Sequence, residues 1–144
     1  MIINIKVLLV NPPSEFKNPV LPLGMASIAA YLRQQNTDLE ISVIDVWAEN
    51  LSFEELAKRA AETQADMVGI YMLSPRYDKA KKTIEVCRQS LPKATIIAGG
   101  PHPSALPQET LREIKQLDIC VIGEGEITMD ELVKGLPLPT IDGI

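Results

Sequence analysis

Short apolar runs alternate with amphipathic stretches five times along the chain. The apolar runs predict five strands, at residues 3–10, 41–46, 67–72, 94–98 and 119–122. Each run is nearly continuous in Ile, Val, Leu and other apolar residues, which is typical of strands whose sheet is covered by helices on both faces. The first run, which begins at Ile3, is followed by a proline-rich loop and then by a helical pattern.

The stretches between the runs carry apolar residues at helical spacing. The second helix opens with a Ser-x-x-Glu capping box formed by Ser52 and Glu55. A third helix is predicted from about Asp78, and Pro107 suits the first turn of a fourth. A short last helix is predicted over residues 126–134.

Five strand–helix units in one chain imply a parallel sheet with right-handed crossovers. Five strands fit the flavodoxin-like order 2-1-3-4-5 better than a dinucleotide-binding fold, which needs six. The predicted class is therefore an α/β, Rossmann-like three-layer sandwich. Ligands of such sheets bind at the carboxyl ends of the strands, near the switch between strands one and three. The loops after strands one, three, four and five are the places to look for a site.

Composition narrows the classes of partner. A length of 144 residues suits one domain, and a net charge of -5 without a Lys/Arg cluster argues against nucleic acid. The apolar runs are too short to span a bilayer. The two cysteines, Cys87 and Cys120, belong to no metal-binding or disulfide pattern, so a cytoplasmic location is expected.

The loops after the first and third strands hold stiff or polar residues. Pro12 and Pro13 follow the first strand, where proline fixes the backbone and shapes the loop. Ser74 and Tyr77 follow the third strand, where a hydroxyl near a helix N-terminus can bond a polar ligand group. The alternatives are a proline-built start of the first helix, and a Ser74 that only caps its turn.

The loops after the fourth and fifth strands are rich in glycine. Gly99 and Gly100 leave bare backbone where a ligand approaches closely or where φ is positive, and His102 follows them. A lone loop histidine is more often a hydrogen-bonding residue than a metal ligand, so no metal site is predicted. Gly123 and Glu124 follow the fifth strand.

The acidic residues around the last helix have a purely structural interpretation as well. Glu124 and Glu126 are favourable anions near a helix N-terminus, and Thr128 with Glu131 reads as a second capping box. The sequence contains no nucleophile with an acid/base pair at a spacing suited to covalent catalysis, and no Gly-x-x-x-x-Gly-Lys phosphate loop. No catalytic residue and no reaction follow from the residues alone.

The loop motifs taken together resemble a known family. They are Val-Asn-Pro-Pro at 10–13, Pro-Leu-Gly-Met-Ala-Ser-Ile-Ala-Ala-Tyr-Leu at 22–32, Gly-Gly-Pro-His-Pro-Ser at 99–104 and Ile-Gly-Glu-Gly-Glu at 122–126. In this order they resemble the N-terminal cobalamin (B12)-binding domain of cobalamin-dependent radical-SAM proteins, such as the anaerobic Mg-protoporphyrin monomethyl ester cyclases. The similarity runs over nearly the whole chain.

The resemblance implies a corrin ring over the carboxyl edge of the sheet and a nucleotide tail buried beside the strands. The cofactor-binding residues that it implies are Pro12, Pro13, Ser74, Tyr77, Gly99, Gly100, His102, Gly123, Glu124 and Glu126. A Ser-x-x-Thr pattern is common in the third loop of the family, and here Tyr77 replaces the Thr. The Asp-x-His-x-x-Gly motif of methionine-synthase-type domains is absent, because residues 11–24 contain no histidine. The implied cobalt therefore has no histidine ligand from this loop.

The family's catalytic part has no counterpart in this sequence, which lacks Cys-x-x-x-Cys-x-x-Cys. The resemblance therefore implies a cobalamin-binding domain at residues 1–136, and at 137–144 the start of a linker to a C-terminal radical-SAM domain of the same parent chain. S-adenosylmethionine and a 4Fe-4S cluster are expected only in that parent, a methyltransferase or an oxidative cyclase.

Three alternatives compete with this interpretation. A degenerate domain that no longer binds corrinoid would serve as a structural or substrate-gating module. A sensor of another small molecule would use the same crevice. A response-regulator receiver domain fails on its residues, because Asn11-Pro12 and Leu73-Ser74 stand where it needs acidic residues.

Overall fold

Five parallel strands form one sheet in the order β2-β1-β3-β4-β5, so the predicted flavodoxin-like topology is confirmed. The structure is a computed structural model that describes residues 4–144. The strands are β1 (Ile5–Asn11), β2 (Leu39–Asp45), β3 (Met67–Tyr71), β4 (Thr95–Gly99) and β5 (Ile119–Cys120). Ile3, where the first strand was predicted to begin, lies outside the described residues.

In the described part of the chain, six α-helices connect and follow the strands. They are α1 (Leu23–Gln35), α2 (Phe53–Thr63), α3 (Tyr77–Ser90), α4 (Pro101–Ala105), α5 (Pro107–Glu113) and α6 (Glu126–Val133). Short 3-10 turns occupy Ser74–Arg76 and Leu138–Thr140. Among residues 4–144, no helix has the length and apolarity needed to cross a membrane.

The helix starts test the capping predictions. The box at α2 is confirmed: the Ser52 hydroxyl accepts from the Glu55 N–H at 3.1 Å, and the Glu55 carboxylate accepts from the Ser52 N–H at 2.7 Å. The second box is wrong. Because α6 already begins at Glu126, Thr128 lies inside the helix, and its hydroxyl donates to the Asp142 carbonyl at 2.9 Å.

The two faces of the sheet bury separate cores. One core joins the sheet to α2 and α3, through side chains such as Leu56 and Ile84. The other joins the sheet to α1 and α6, through side chains such as Leu32 and Met129. Alternate residues of each strand point to opposite faces, so every strand contributes to both cores. We call the two sides the α2/α3 face and the α1/α6 face.

The last residues fold back onto the domain. Ile141 is buried in the core of the α1/α6 face. The Ile122 N–H donates to the Gly143 carbonyl at 2.8 Å, which ties the end of the chain to the residues after β5. Gly143 has a φ of +84°, and a Cβ there would lie 3.0 Å from the Thr128 hydroxyl. The assignment of residues 137–144 to a linker stays a prediction.

Candidate functional site

A cavity of about 420 Å³ opens at the carboxyl edge of the sheet, on the α1/α6 face. This volume lies in the range of small-molecule sites, about 300–1,000 Å³. The residues around it come from three strands (β1, β3 and β4), from α1, α4 and α6, and from the loops after β4 and β5. They are Leu9, Gly24, Met25, Ile28, Gly69, Ile70, Tyr71, Ile97, Gly99, Gly100, Pro101, Ser104, Val121, Gly123, Glu124, Gly125, Glu126 and Met129.

Two glycines in adjacent strands create the floor of the cavity. Gly69 stands in register between Leu9 of β1 and Ile97 of β4. One step nearer the carboxyl edge, Gly99 is in register with Tyr71 of β3. Two neighbouring rows of residues on this face of the sheet thus each contain one glycine, and the two glycines are diagonal neighbours. The result is a trough in the surface of the sheet.

The two glycines differ in how much room surrounds them. A Cβ on Gly69 would lie 2.8 Å from Cδ2 of Leu9, closer than real contacts allow. A Cβ on Gly99 would meet only Cβ of Val121, at 4.0 Å, an ordinary contact distance. A side chain at position 99 therefore fits the backbone and extends into the cavity.

Gly100 is required by the backbone. Its φ of +112° is one that L side chains rarely adopt, and a Cβ there would lie 2.8 Å from the Met72 carbonyl oxygen. The same carbonyl accepts from the His102 N–H at 3.1 Å. Gly100 thus allows α4 to begin directly after β4, over the end of β3.

Polar side chains at the rim of the cavity are bonded to one another and to backbone. The Ser104 hydroxyl donates to the Gly100 carbonyl at 2.8 Å and accepts from the Gly123 N–H at 3.0 Å. The Ser27 hydroxyl of α1 donates to Glu126 of α6 at 2.6 Å. These bonds fix the loops after β4 and β5 and join the two helices that flank the cavity.

A second polar cluster lies outside the cavity lining. The Ser74 hydroxyl and Nδ1 of the buried His102 are 2.8 Å apart, and the rings of His102 and Tyr77 are 5.0 Å apart. The Tyr77 hydroxyl donates to Glu113 at 2.6 Å. Burial, supported by this hydrogen bond, raises the pKa of Tyr77 to about 12. Tyr77 packs on the core of the α2/α3 face, so this cluster belongs to the other side of the sheet.

A buried arginine organises the loop after β1. Arg76 donates to the Pro12 carbonyl at 3.1 Å, and its Cζ lies 5.1 Å from the centroid of the Trp47 ring and 5.9 Å from that of Tyr71. Burial lowers the pKa of the guanidinium, and the charges of Tyr71 and Asp45 oppose that shift. Arg76 therefore links the loops after β1, β2 and β3 at the switch point of the sheet.

The structure separates the predicted site residues into groups. Those that line the cavity are Gly99, Gly100, Gly123, Glu124 and Glu126. Those that meet in the second cluster are Ser74, Tyr77 and His102. Pro12 is tied to Arg76, and neither Pro12 nor Pro13 is part of the cavity lining. The role of each in holding a cofactor stays a prediction.

Several lining residues were not predicted as site residues, although Gly24, Ser104 and Gly125 lie within the loop motifs quoted above. Gly69 lies outside those motifs but had a signal of its own. Gly69 interrupts an apolar run, and a glycine inside a strand indicates a close approach. Others, such as Leu9 and Met129, occupy ordinary apolar positions of a strand and a helix. Their role in the lining follows from packing that no local pattern records.

Comparison with known proteins places this geometry in a family. A family model described as the B12 binding domain matches residues 14–133. The chain is 34% identical over 137 residues to an uncharacterized methyltransferase of Pyrococcus horikoshii, across 91% of this chain and 29% of that protein. It is 33% identical over 91 residues to the anaerobic magnesium-protoporphyrin IX monomethyl ester cyclase of Cereibacter sphaeroides, across 63% of this chain and 15% of that one.

Solved structures share the fold. OxsB, a cobalamin-dependent S-adenosylmethionine radical enzyme solved with aqua-cobalamin bound, superposes with a TM-score of 0.84 at 23% identity, over 96% of this chain and 20% of OxsB. The radical S-adenosylmethionine methyltransferase TsrM of Kitasatospora setae, solved with cobalamin and a [4Fe-4S] cluster, gives 0.84 at 22% identity, over 98% of this chain and 28% of TsrM. The chain spans less than a third of each of these four relatives. The family match covers most of the chain, which therefore belongs to the B12 binding domain family.

Proposed function

We propose that this chain is the cobalamin-binding module of a larger radical-SAM enzyme of the methyltransferase or cyclase type, and that it has no catalytic activity by itself. The observation that carries the proposal is the glycine-floored cavity at the carboxyl edge, in a chain of the B12 binding domain family. The cavity lies where ligands of such sheets bind.

The residues present fit a cofactor with a slender buried arm. Gly69 and Gly99 remove side chains from the floor, and Leu9, Ile97 and Met129 offer apolar walls. Gly100 keeps backbone rather than side chain at the mouth. These residues would hold the nucleotide tail, while the corrin ring would cover the mouth. When bound, cobalamin supplies cobalt-centred group transfer to the parent enzyme.

The role of this chain's residues is then to bind and orient. The bonds of Ser104 to Gly100 and Gly123 hold two loops in place before the ligand arrives. A site that is already ordered loses less entropy on binding. Arg76 keeps the proline loop at the edge of the sheet in the same way.

The parent enzyme is proposed from the relatives. S-adenosylmethionine and the 4Fe-4S cluster would be bound by a C-terminal radical-SAM domain of the same chain. We also propose a cytoplasmic location, in which the two buried free thiols of Cys87 and Cys120 would stay reduced.

The second candidate is the degenerate domain that has lost its corrinoid. One observation favours it: Ser74, Tyr77 and His102 bond or stack with one another rather than lining the cavity. If these residues are needed to hold the tail, the present arrangement withholds them from it.

Titration of the purified domain with hydroxocobalamin tests the proposal. We expect the corrinoid to stay with the protein through gel filtration and to show a visible spectrum with the benzimidazole detached from cobalt. A colourless protein peak, from a domain whose circular dichroism shows it to be folded, would contradict the proposal and favour the degenerate module.

A further inference from the structure

The loop after β5 has little conformational restraint of its own. It contains Gly123, whose φ is +74°, and Gly125, and residues 123–126 line the cavity. Glycine loses more conformational freedom on folding than any other residue. Contacts from outside the loop must therefore hold it in one arrangement.

The loop has one such contact on each side. On the inner side, the Gly123 N–H donates to the Ser104 hydroxyl at 3.0 Å. On the outer side, the Gly143 carbonyl accepts from the Ile122 N–H at 2.8 Å. The preceding N–H, that of Val121, donates to the Ala98 carbonyl of β4, so the Ile122 N–H points toward the free edge of the sheet. Edge strands present backbone groups that need such partners.

Three consecutive residues, 141–143, are each fixed against the domain, and we call them the strap. The side chain of Ile141 is buried in the core of the α1/α6 face. The Asp142 carbonyl accepts from the hydroxyl of Thr128, a buried residue of α6, at 2.9 Å. Gly143 has a φ of +84°, and a Cβ there would lie 3.0 Å from the Thr128 hydroxyl and 3.2 Å from the Ile122 carbonyl oxygen. The strap therefore has one register on the domain.

We infer that the strap positions the loop after β5, and with it one wall of the cavity. Gly143 and Thr128 are then positioning residues: Gly143 brings a carbonyl to Ile122, and Thr128 fixes the strap in its register. The domain also extends through Gly143, past the boundary at residue 136 that the resemblance implied. The strap acts on the domain whether or not a corrinoid is bound.

Two glycine variants test the strap against a matched control. Gly143→Ala introduces a Cβ where the strap meets Thr128. Gly135→Ala has the same kind of backbone penalty, because its φ is +70°, but its Cβ would meet nothing within 4 Å. Amide hydrogen exchange is followed by NMR, and the rate of Ile122 is divided by that of Leu8 in the centre of the sheet. We expect this ratio to be at least about tenfold higher in Gly143→Ala than in Gly135→Ala.

A threonine pair tests the hydroxyl without changing the shape of the side chain. Thr128→Val removes the donor to the strap, and we expect the same exchange ratio to rise about three- to tenfold. Thr83→Val makes the same change at a buried threonine of α3 whose hydroxyl donates within its own helix, to the Lys79 carbonyl, and should leave the ratio unchanged. Thr128→Ser keeps the hydroxyl and should keep the protection of Ile122.

The exchange data decide the inference by themselves. Equal ratios in Gly143→Ala and Gly135→Ala would overturn it. So would an unprotected Ile122 amide in the unmodified domain, or an unchanged ratio in Thr128→Val.

A second readout concerns the cavity wall and rests on the proposed function. A loop that is less ordered must be ordered on binding, which costs affinity. We expect the Kd for hydroxocobalamin, from a visible titration, to be at least about threefold higher in Gly143→Ala than in Gly135→Ala. Equal Kd values despite faster exchange at Ile122 would overturn the role of the strap in the cavity wall. An unmodified domain that binds no hydroxocobalamin but protects Ile122 through the strap would overturn the proposed function and not the strap.

Discussion

The two faces of the sheet are built from the same five strands, yet one is filled and the other is hollow at its carboxyl end. On the α2/α3 face, two adjacent rows cross β1, β3 and β4 without a gap. These rows are Leu8, Val68 and Ile96, then Val10, Ile70 and Ala98, and all six are buried. On the α1/α6 face the corresponding rows contain Gly69 and Gly99.

The two faces differ at this end of the sheet because glycine replaces an aliphatic residue at two positions of the α1/α6 face. Burying a large aliphatic side chain contributes about 1.5–3 kcal/mol. The α1/α6 face forgoes that contribution at Gly99, where a Cβ would meet only Val121, while at Gly69 the side chain of Leu9 occupies the space. Both positions lie where parallel sheets bind their ligands. The α2/α3 face therefore supplies stability, while the α1/α6 face gives up part of its own to leave room.

The largest expected effect comes from truncating neighbours on opposite faces of β4. Ile96 and Ile97 are both buried, the first on the α2/α3 face and the second at the cavity. We expect Ile96→Ala to lower the free energy of unfolding by about 2–5 kcal/mol. Ile97→Ala should cost about 1 kcal/mol less, because one side of Ile97 already borders empty space. Urea unfolding followed by circular dichroism measures both, and an equal or larger loss for Ile97→Ala would contradict the comparison.

A smaller effect separates the two adjacent glycines after Ala98. Gly100→Ala should lower the free energy of unfolding by about 1–3 kcal/mol, because its φ is +112° and the new Cβ meets the Met72 carbonyl. Gly99→Ala should change it by less than about 0.5 kcal/mol. Thermal and urea unfolding of the two variants provide the measurement. Equal losses would show that Gly99, too, is held for backbone reasons.

The smallest effect is expected for alkylation of the cysteines on the α2/α3 face, which should not react while the domain is folded. Cys87 and Cys120 both belong to the α2/α3 core, and burial raises their thiol pKa values to about 12 and about 11. Thiolates are the reactive form, so both thiols should resist iodoacetamide at pH 8 until urea unfolds the domain. Mass spectrometry counts the modified cysteines, and rapid labelling of the folded domain would show that this face opens.

The fold was readable from the sequence because each strand carries its own apolar run and each main helix its own apolar stripe. Prolines and capping residues located the starts of α2 and α5 for local reasons. Helix α4 escaped prediction, since it is only five residues long and depends on the positive φ of Gly100 and a bond to the Met72 carbonyl. The capping box predicted at Thr128 was wrong because the Thr128 hydroxyl donates to the carbonyl of Asp142, a contact that forms only in the folded domain.

The site was less readable, because its residues belong to different elements. The glycines of the fourth and fifth loops stood out as motifs and do line the cavity. His102 and Tyr77 stood out equally, yet the structure pairs them with each other on the α2/α3 side. Whether a loop side chain turns toward one face or the other depends on its neighbours in space. A sequence motif therefore identifies the loop but does not show toward which face of the sheet a side chain points.

Filling the hollow of the α1/α6 face tests whether it holds the tail of the cofactor. Gly99→Leu places a side chain in the cavity without a backbone clash, and Ala105→Leu adds the same bulk at an exposed position of α4. Hydroxocobalamin retention is measured by visible absorbance after gel filtration. We expect the unmodified domain and Ala105→Leu to retain the corrinoid, and a folded Gly99→Leu to lose most of it. Undiminished retention by Gly99→Leu would show that the tail does not lie in this cavity.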